Sequence, residues 1–273
     1  MIKKVNSTII GSGLIGDSLA KKLRSLKHKV TVLHHDDEIK INDADYIFYV
    51  ASYGNHYSQT DEYKTFKANV FDYLHLLRDT IDVPYTTLFY FSTSSVTLPV
   101  QTNYSDSKYI GEIISKRFSK RYKKPIVVVR PSSVYGIGEK PWRFFPVAIN
   151  NVMDGKDMPI SKGFHDWIEV TDFVNAVTIL MKNTPKVIGK SVPIGTGIQT
   201  SNHQVMGLVM KLIGKTIKLI ESDTVKRKYD TVNWVADNSL IKSMGWKQKV
   251  TLEKGLSKMF KHYVSKRTKA QGR

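Results

Sequence analysis

Val5-Asn6-Ser7-Thr8-Ile9-Ile10-Gly11-Ser12-Gly13-Leu14-Ile15-Gly16 is the stretch that decides how this chain folds. Val5 to Ile10 reads as a buried strand, and the glycines follow it at once. Beyond them Ile15, Leu19, Leu23 and Leu26 recur with helical spacing, while Lys21, Lys22, Arg24 and Lys27 take the outer face. Val30 to Leu33 reads as a second strand. Strand, glycine turn, helix and strand make a βαβ unit, the setting that gives Gly-x-Gly-x-x-Gly its meaning. Gly11 permits the turn, Gly13 lets backbone approach a pyrophosphate, and Gly16 lets helix and sheet pack closely. The helix start offers free N–H groups and a positive dipole to the phosphates. Gly11, Ser12, Gly13, Leu14, Ile15 and Gly16 are the expected pyrophosphate cradle.

Downstream, Tyr46 to Ala51, Thr86 to Ser92 and Ile126 to Val129 read as strands. Between them Phe66, Val70, Leu74 and Leu77 mark one amphipathic helix, and Ile110, Ile113, Ile114 and Phe118 another. Such alternation predicts an α/β fold: a doubly wound, Rossmann-type parallel sheet with helices on both faces. After Arg130-Pro131 the pattern loosens around Pro141, Pro146, Asp154-Gly155 and Lys162-Gly163. A helix from about Val170 to Met181 and a strand near Val192 return to the sheet. The expected division is a dinucleotide-binding domain over 1–135, completed by about 166–195. A smaller α+β substrate lobe takes 136–165 and 196–265, and 266–273 form a flexible basic tail.

A chain of 273 residues with 41% hydrophobic and 11% aromatic content can bury a full core. Cysteine is absent, which excludes disulfides, thiolate metal sites and cysteine catalysis. No apolar run reaches the ~20 residues a bilayer needs. Met1-Ile2-Lys3-Lys4 runs into a strand without a signal-peptide pattern, so a cytoplasmic location is expected. The formal charge of +18 is spread along the chain, densest over Lys116 to Lys124 and from Lys254 to Arg273. It reads first as a solvated lysine-rich surface, and second as a field steering an anionic substrate. No zinc-finger spacing, aromatic RNA-binding motif or basic zipper accompanies it, so neither nucleic acid nor membrane is an expected partner.

Tyr104 and Lys108 stand one helical turn apart, shortly after Phe91-Ser92-Thr93-Ser94-Ser95. At this spacing the two side chains share a helix face. An ammonium beside a phenol favours the phenolate, so a tyrosine of resting pKa ~10 can act as a base nearer neutrality. The pattern alone is weak, since Tyr63 and Lys67 repeat it. The order glycine turn, serine run, Tyr104, Lys108 carries the weight.

With these pieces the chain resembles the extended short-chain dehydrogenase/reductases, the NAD-dependent epimerase/dehydratase family. The likeness continues through Asn69-Val70, Arg130-Pro131-Ser132-Ser133-Val134-Tyr135-Gly136, Asp166-Trp167-Ile168-Glu169-Val170-Thr171-Asp172 and Met244-Gly245-Trp246-Lys247. The resemblance implies NAD or NADP as cofactor and a C-terminal lobe that clamps a nucleotide sugar. It implies Ser94 as the catalytic hydroxyl on the substrate oxygen, with Thr93 the fallback should the register slip by one. Tyr104 would exchange a proton with that oxygen, while Lys108 would bind the nicotinamide ribose and lower the Tyr104 pKa. Ala51, Pro131, Ser132 and Ser133 would line the cofactor. Thr93, Ser95, Arg143 and His165 would face the substrate, with Lys162 a further contributor. A homodimer is an open alternative to a monomer.

Departures from the family pattern matter equally. The glycine turn is one residue shorter at its start than usual. Leu33 to Tyr46 is too short for the customary extra strand and helix, leaving one wall of the adenine pocket missing. His34 and His35 stand where an acidic side chain would hold the 2′-hydroxyl of NAD. They suit the 2′-phosphate of NADP, but Asp36, Asp37 and Glu38 would repel it. His165 replaces an arginine often placed at the substrate phosphates. No further ligands space with the paired histidines, so no metal site is expected. Ser95 and Val96 follow Ser94 where dehydration needs an acid pair. Hydride transfer at one carbinol remains: a 4-epimerase or reductase of a nucleotide-linked sugar. An NADPH-dependent reductase of a small carbonyl compound and a non-catalytic dinucleotide sensor are the alternatives.

Overall fold

The computed structural model describes residues 5–41, 43–56, 58–222 and 233–271. Strand β1 (Asn6–Ile10), helix α1 (Leu14–Ser25) and strand β2 (Lys29–Leu33) form the opening unit. The chain then crosses β1 to place β3 (Tyr46–Tyr49) on its other side, followed by β4 (Thr87–Phe91), β5 (Ile126–Pro131) and β9 (Ser191–Ile194). The result is a six-stranded parallel sheet of order β2-β1-β3-β4-β5-β9. The strand order reverses between β1 and β3, and in open α/β sheets the crevice beyond the strand ends at that point takes the ligand.

Both faces of the central strands are buried, so these strands read as continuous apolar runs rather than alternating ones. On one face Phe48 stacks on Phe89 at 5.1 Å and 8°, beneath α1 and helix α6 (Val170–Lys182). On the other, Tyr73 lies 4.9 Å from Tyr49 and 4.3 Å from Tyr90. Edge strand β2 differs. Val30 and Val32 pack into the core while Lys29 and Thr31 are exposed, because the described residues between β2 and β3 hold neither helix nor strand.

Two helical faces depart from the expected pattern. The first helix breaks into α2 (Glu62–Phe66), a π turn over Lys67–Phe71 and α3 (Asp72–Asp79). The wider turn shifts the phase of everything after it. Leu74, expected inside, is exposed, and Tyr73, Leu76 and Leu77 are buried. Along α4 (Asn103–Tyr122) the isoleucines Ile110 and Ile113 face outward. Its buried face is Ser105, Ser107, Lys108, Gly111, Glu112, Ser115, Phe118 and Ser119, so of the expected apolar positions Phe118 is buried and Ile114 packs against the core. Small residues there let α4 lie close on the sheet: a Cβ on Gly111 would stand 2.0 Å from Tyr90 Oη.

A separate cluster, with Tyr135, Phe145, Ile149, Val205, Met206 and Leu256, forms the lobe core. It gathers α5 (Phe144–Asp154), β7 (Met158–Ile160), α8 (Asn202–Ile213), β11 (Leu219–Glu221) and α10 (Leu252–Gln271). Strands β6 (Ser133–Tyr135), β8 (Phe164–Glu169) and β10 (Gln199–Ser201) make a bridging sheet. The short helices α7 (Thr184–Val187) and α9 (Ser239–Ser243) complete the chain. Helix α10 continues to Gln271, so most of the segment expected as a flexible tail is helical; Gly272 and Arg273 lie outside the described residues. No helix among the described residues is long and apolar enough to cross a membrane.

Candidate active site

The glycine turn is shaped by backbone rather than side chains. Gly11 has φ +107, and a Cβ there would stand 2.6 Å from Ala51 N, while one on Gly16 would stand 2.1 Å from Gly11 O. Gly13 has φ +150, a conformation side chains resist, and the space where its Cβ would project is open. The start of α1 is therefore open on the Gly13 side, and helix starts of this kind favour anions. Gly11 N–H donates to Leu33 O and Ala51 N–H to Ile10 O, each at 2.8 Å, which ties the three strand ends around it. At the end of β2, His34 Nδ1 lies 2.9 Å from Ser12 Oγ, and the His34 N–H donates to Asp37 at 2.7 Å. His34 and Ser12 thus meet at one rim of the cradle.

Asn69, fully buried, accepts from Tyr53 N–H at 3.1 Å and donates to Tyr53 O and Ser107 Oγ, both at 2.9 Å. It fixes the loop after β3 against α4. Thr102 caps α4 through a capping box with Ser105, which sets the helix start that carries Tyr104. One turn further, the Lys108 ammonium donates to Ala51 O at 3.2 Å and lies 5.0 Å from the Tyr90 ring centroid. Lys108 is 1% exposed, and burial pushes its pKa down to about 7. Near neutrality the free protein therefore divides Lys108 between its charged and neutral forms, so the ammonium expected to favour a Tyr104 phenolate is present in part. A second buried group, Glu139, is pushed up to about 7 by burial, opposed by Arg143 at 4.0 Å.

The serine run ends β4 and turns into a short 3-10 segment, Ser94–Thr97. Thr93 and Ser95 engage each other, with their hydroxyls 3.0 Å apart and Ser95 N–H donating to Thr93 Oγ1. Ser95 is buried, Ser94 and Thr93 partly exposed. Ser94 Oγ accepts a hydrogen bond from Trp234 Nε1 at 3.0 Å. Trp234 packs on His165 at 5.0 Å, and His165 Nδ1 lies 3.3 Å from Ser133 Oγ. The structure thus joins Ser94, Trp234, His165 and Ser133 into one wall. Pro131 ends β5 beside Ile194. Arg143 stands just before α5 beside Glu139, and Lys162 pairs with Glu221 at 3.1 Å near the surface. Neither is shown against that wall.

Sequence reasoning passed over Trp234 and Glu112, and quoted Asp166 within a motif without giving it a role. Trp234 stands far along the chain in a polar stretch, with no spacing signal. Asp166, 1% exposed, accepts from Thr196 N–H (2.8 Å), Thr196 Oγ1 (2.6 Å), Gly197 N–H (3.0 Å) and Ala236 N–H (3.1 Å), so it anchors the segment carrying Trp234. Glu112 forms a bidentate pair with Arg130 at 2.7 Å; burial acts against its charge, but Arg130 wins and holds its pKa low. An (i, i+4) relation to Lys108 on a buried face was the available clue for Glu112. A cavity of about 630 Å³ in the lobe is lined by Trp167, Gln199, Gln204, Leu208 and Lys211 but by none of Ser94, Tyr104 or Lys108. Among the described residues no three His, Asp or Glu side chains gather as a metal site.

The model of the NAD dependent epimerase/dehydratase family matches residues 8–195. Mouse dTDP-D-glucose 4,6-dehydratase is 28% identical over 169 residues, 59% of this chain and 47% of that protein. The chain thus spans about half the length of the curated relatives it matches. The UDP-glucose 4-epimerase of Thermotoga maritima, solved with UDP-glucose, superimposes with a TM-score of 0.85 at 20% identity, covering 96% of this chain and 99% of that one. The UDP-glucuronic acid 4-epimerase of Bacillus cereus, solved with UDP-glucuronic acid and NAD, gives 0.85 at 19% identity, covering 94% and 98%. At these identities the structural likeness establishes the fold.

Proposed function

The chain belongs to the NAD dependent epimerase/dehydratase family, and from that premise we propose that it oxidises or reduces one carbinol of a nucleotide-linked sugar with a bound NAD or NADP. The observation that carries this reading is the junction of Lys108 with Ala51 O below the glycine turn, one helical turn from Tyr104 and beyond the strand end that presents Ser94. The residues fit the cofactor: a cradle open at Gly13 and closed at Gly11 and Gly16 to anything larger than glycine. When bound, the dinucleotide supplies a hydride acceptor or donor at its nicotinamide.

In the oxidising direction the carbinol C–H bond breaks and its electron pair leaves with the hydrogen. The carbinol O–H bond breaks and Tyr104, as phenolate, takes the proton. Ser94 donates its O–H to the same oxygen and stabilises the charge developing there. Lys108, held by Ala51 O, supports the ribose and, when protonated, the phenolate. Return of the hydride to the opposite face of the ketone gives net epimerisation; loss of the ketone gives net oxidation. Dehydration requires further groups to remove a proton from carbon and protonate a leaving hydroxyl. Ser95, buried against Thr93, and apolar Val96 do not offer that pair, which argues against the dehydratase chemistry of the curated relatives.

Replacing Tyr104 by Phe removes only the ionisable oxygen. With NAD and UDP-glucose as probes, turnover should fall by a factor on the order of 10² while dinucleotide affinity changes little. Tyr63→Phe, at a side chain 71% exposed, should leave both unchanged. Greater harm from Tyr63→Phe than from Tyr104→Phe would refute the assignment.

A further inference from the structure

The indole of Trp234 reaches Ser94 across 140 residues of sequence, from the lobe to the end of β4. Its setting is a built one. Its backbone N–H donates to Gln199 Oε1 at 3.0 Å, its ring rests on His165, and it is 8% exposed. On the following segment, Ala236 N–H is held by Asp166, and Asn238 Nδ2 donates to Gly195 O at 3.1 Å. The ring is therefore clamped at several points along its own strand of chain.

An indole N–H can only donate, and a hydroxyl has one proton and two acceptor lone pairs. With a lone pair of Ser94 Oγ taken by Trp234, the Ser94 proton cannot point at the indole. It is confined to the side of the hydroxyl turned away from the indole, where it is available to donate. We infer that Trp234 is a positioning residue, whose N–H fixes the Ser94 hydroxyl as a donor toward the reacting oxygen of the substrate. The inference rests on the role assigned to Ser94 under the proposed function. It also makes that role conditional on the bridging sheet, because the Trp234 segment is seated by Asp166 on β8 and Gln199 on β10. A serine left free to rotate would spend part of its time as an acceptor, which opposes charge on the substrate oxygen.

Two measurements test this, one of them independent of turnover. The chain has four tryptophans, and the Trp234 indole N–H resonance is identified by its loss in Trp234→Phe. Ser94→Ala should shift that resonance and speed its exchange with solvent; an unmoved resonance overturns the inference whether or not any sugar is turned over. With NAD and UDP-glucose, Trp234→Phe should lower kcat on the order of tenfold, the scale of one neutral hydrogen bond, with KM within about twofold. In the Ser94→Ala background the same change should cost nothing more. An equal loss in both backgrounds, or a loss confined to KM, refutes the positioning role. If the unaltered protein fails to turn over UDP-glucose, the proposed substrate is wrong, and the resonance still decides whether Trp234 orients Ser94.

Discussion

Lys108→Met keeps the length of a buried side chain and removes its titration, and the structure sets the size of the effect. Lysine ordinarily titrates near 10.5, and burial brings Lys108 down to about 7. That gap, at ~1.4 kcal/mol for each pH unit, means roughly 4 to 5 kcal/mol of stability forgone at pH values below 7. The sign follows from proton counting. Between pH 7 and 10.5 the unfolded chain holds a proton that the folded chain has released, so stability rises with pH across that window. Below it the full penalty of a buried ammonium applies. Lys108→Met removes the penalty but also the hydrogen bond to Ala51 O, worth ~1 kcal/mol. The cofactor-free variant should therefore be more stable than the natural chain by roughly 3 kcal/mol at about pH 6, the advantage disappearing near pH 10. Other groups leave the window clear: Glu139, raised to about 7, acts below it, and the buried tyrosines Tyr49, Tyr73 and Tyr90 act above it. Urea unfolding of both proteins at about pH 6, 8 and 10 measures the difference. A constant difference across that range, or a variant less stable at pH 6, would refute the buried-ammonium reasoning.

Other expected outcomes follow from the same geometry. Gly13→Val should abolish dinucleotide binding, measured by cofactor fluorescence, in a protein that unfolds cooperatively; undiminished affinity in the folded variant would sink the cradle assignment. Gly111→Ala should destabilise by about 2 kcal/mol, because the added Cβ would meet both Oη and Cζ of the buried Tyr90 ring; an unchanged urea midpoint would refute the close packing of α4 on the sheet. Asp166→Ala strips the acceptor from four donors and should cost about 3 kcal/mol or more, seen as a fall in Tm; a change within ~0.5 kcal/mol would show that the anchor is dispensable.

The sheet was legible because its strands are apolar runs set between helical periods, and the glycine turn marked the strand end where the site begins. The helix that carries Tyr104 and Lys108 was legible for a related reason: a fixed helical spacing relates two positions without reference to the rest of the chain, and α4 holds both. What escaped depends on contacts distant in sequence. The π turn over Lys67–Phe71 moved Leu74 outward, and no residue type announces such a turn. Helix α4 was read by its isoleucines, yet close packing on Tyr90 selects glycine and serine for the buried face. Trp234 meets Ser94 only because Asp166 and Gln199 seat its segment, a relation between lobe and sheet that periodicity cannot reveal. The charge state of Lys108 likewise depends on burial rather than on its neighbours in sequence.

The most direct test of hydride transfer at a sugar carbinol uses UDP-glucose carrying deuterium at the reacting carbon, incubated with the protein and oxidised cofactor. The denatured mixture is then examined by mass spectrometry. The account predicts deuterium on the nicotinamide with the natural chain and a rate of appearance lowered by roughly 10² with Tyr104→Phe. A bound dinucleotide that never acquires deuterium from UDP-glucose or from any other nucleotide-linked sugar so labelled, with no epimer formed that keeps the label at the inverted carbon, would contradict it.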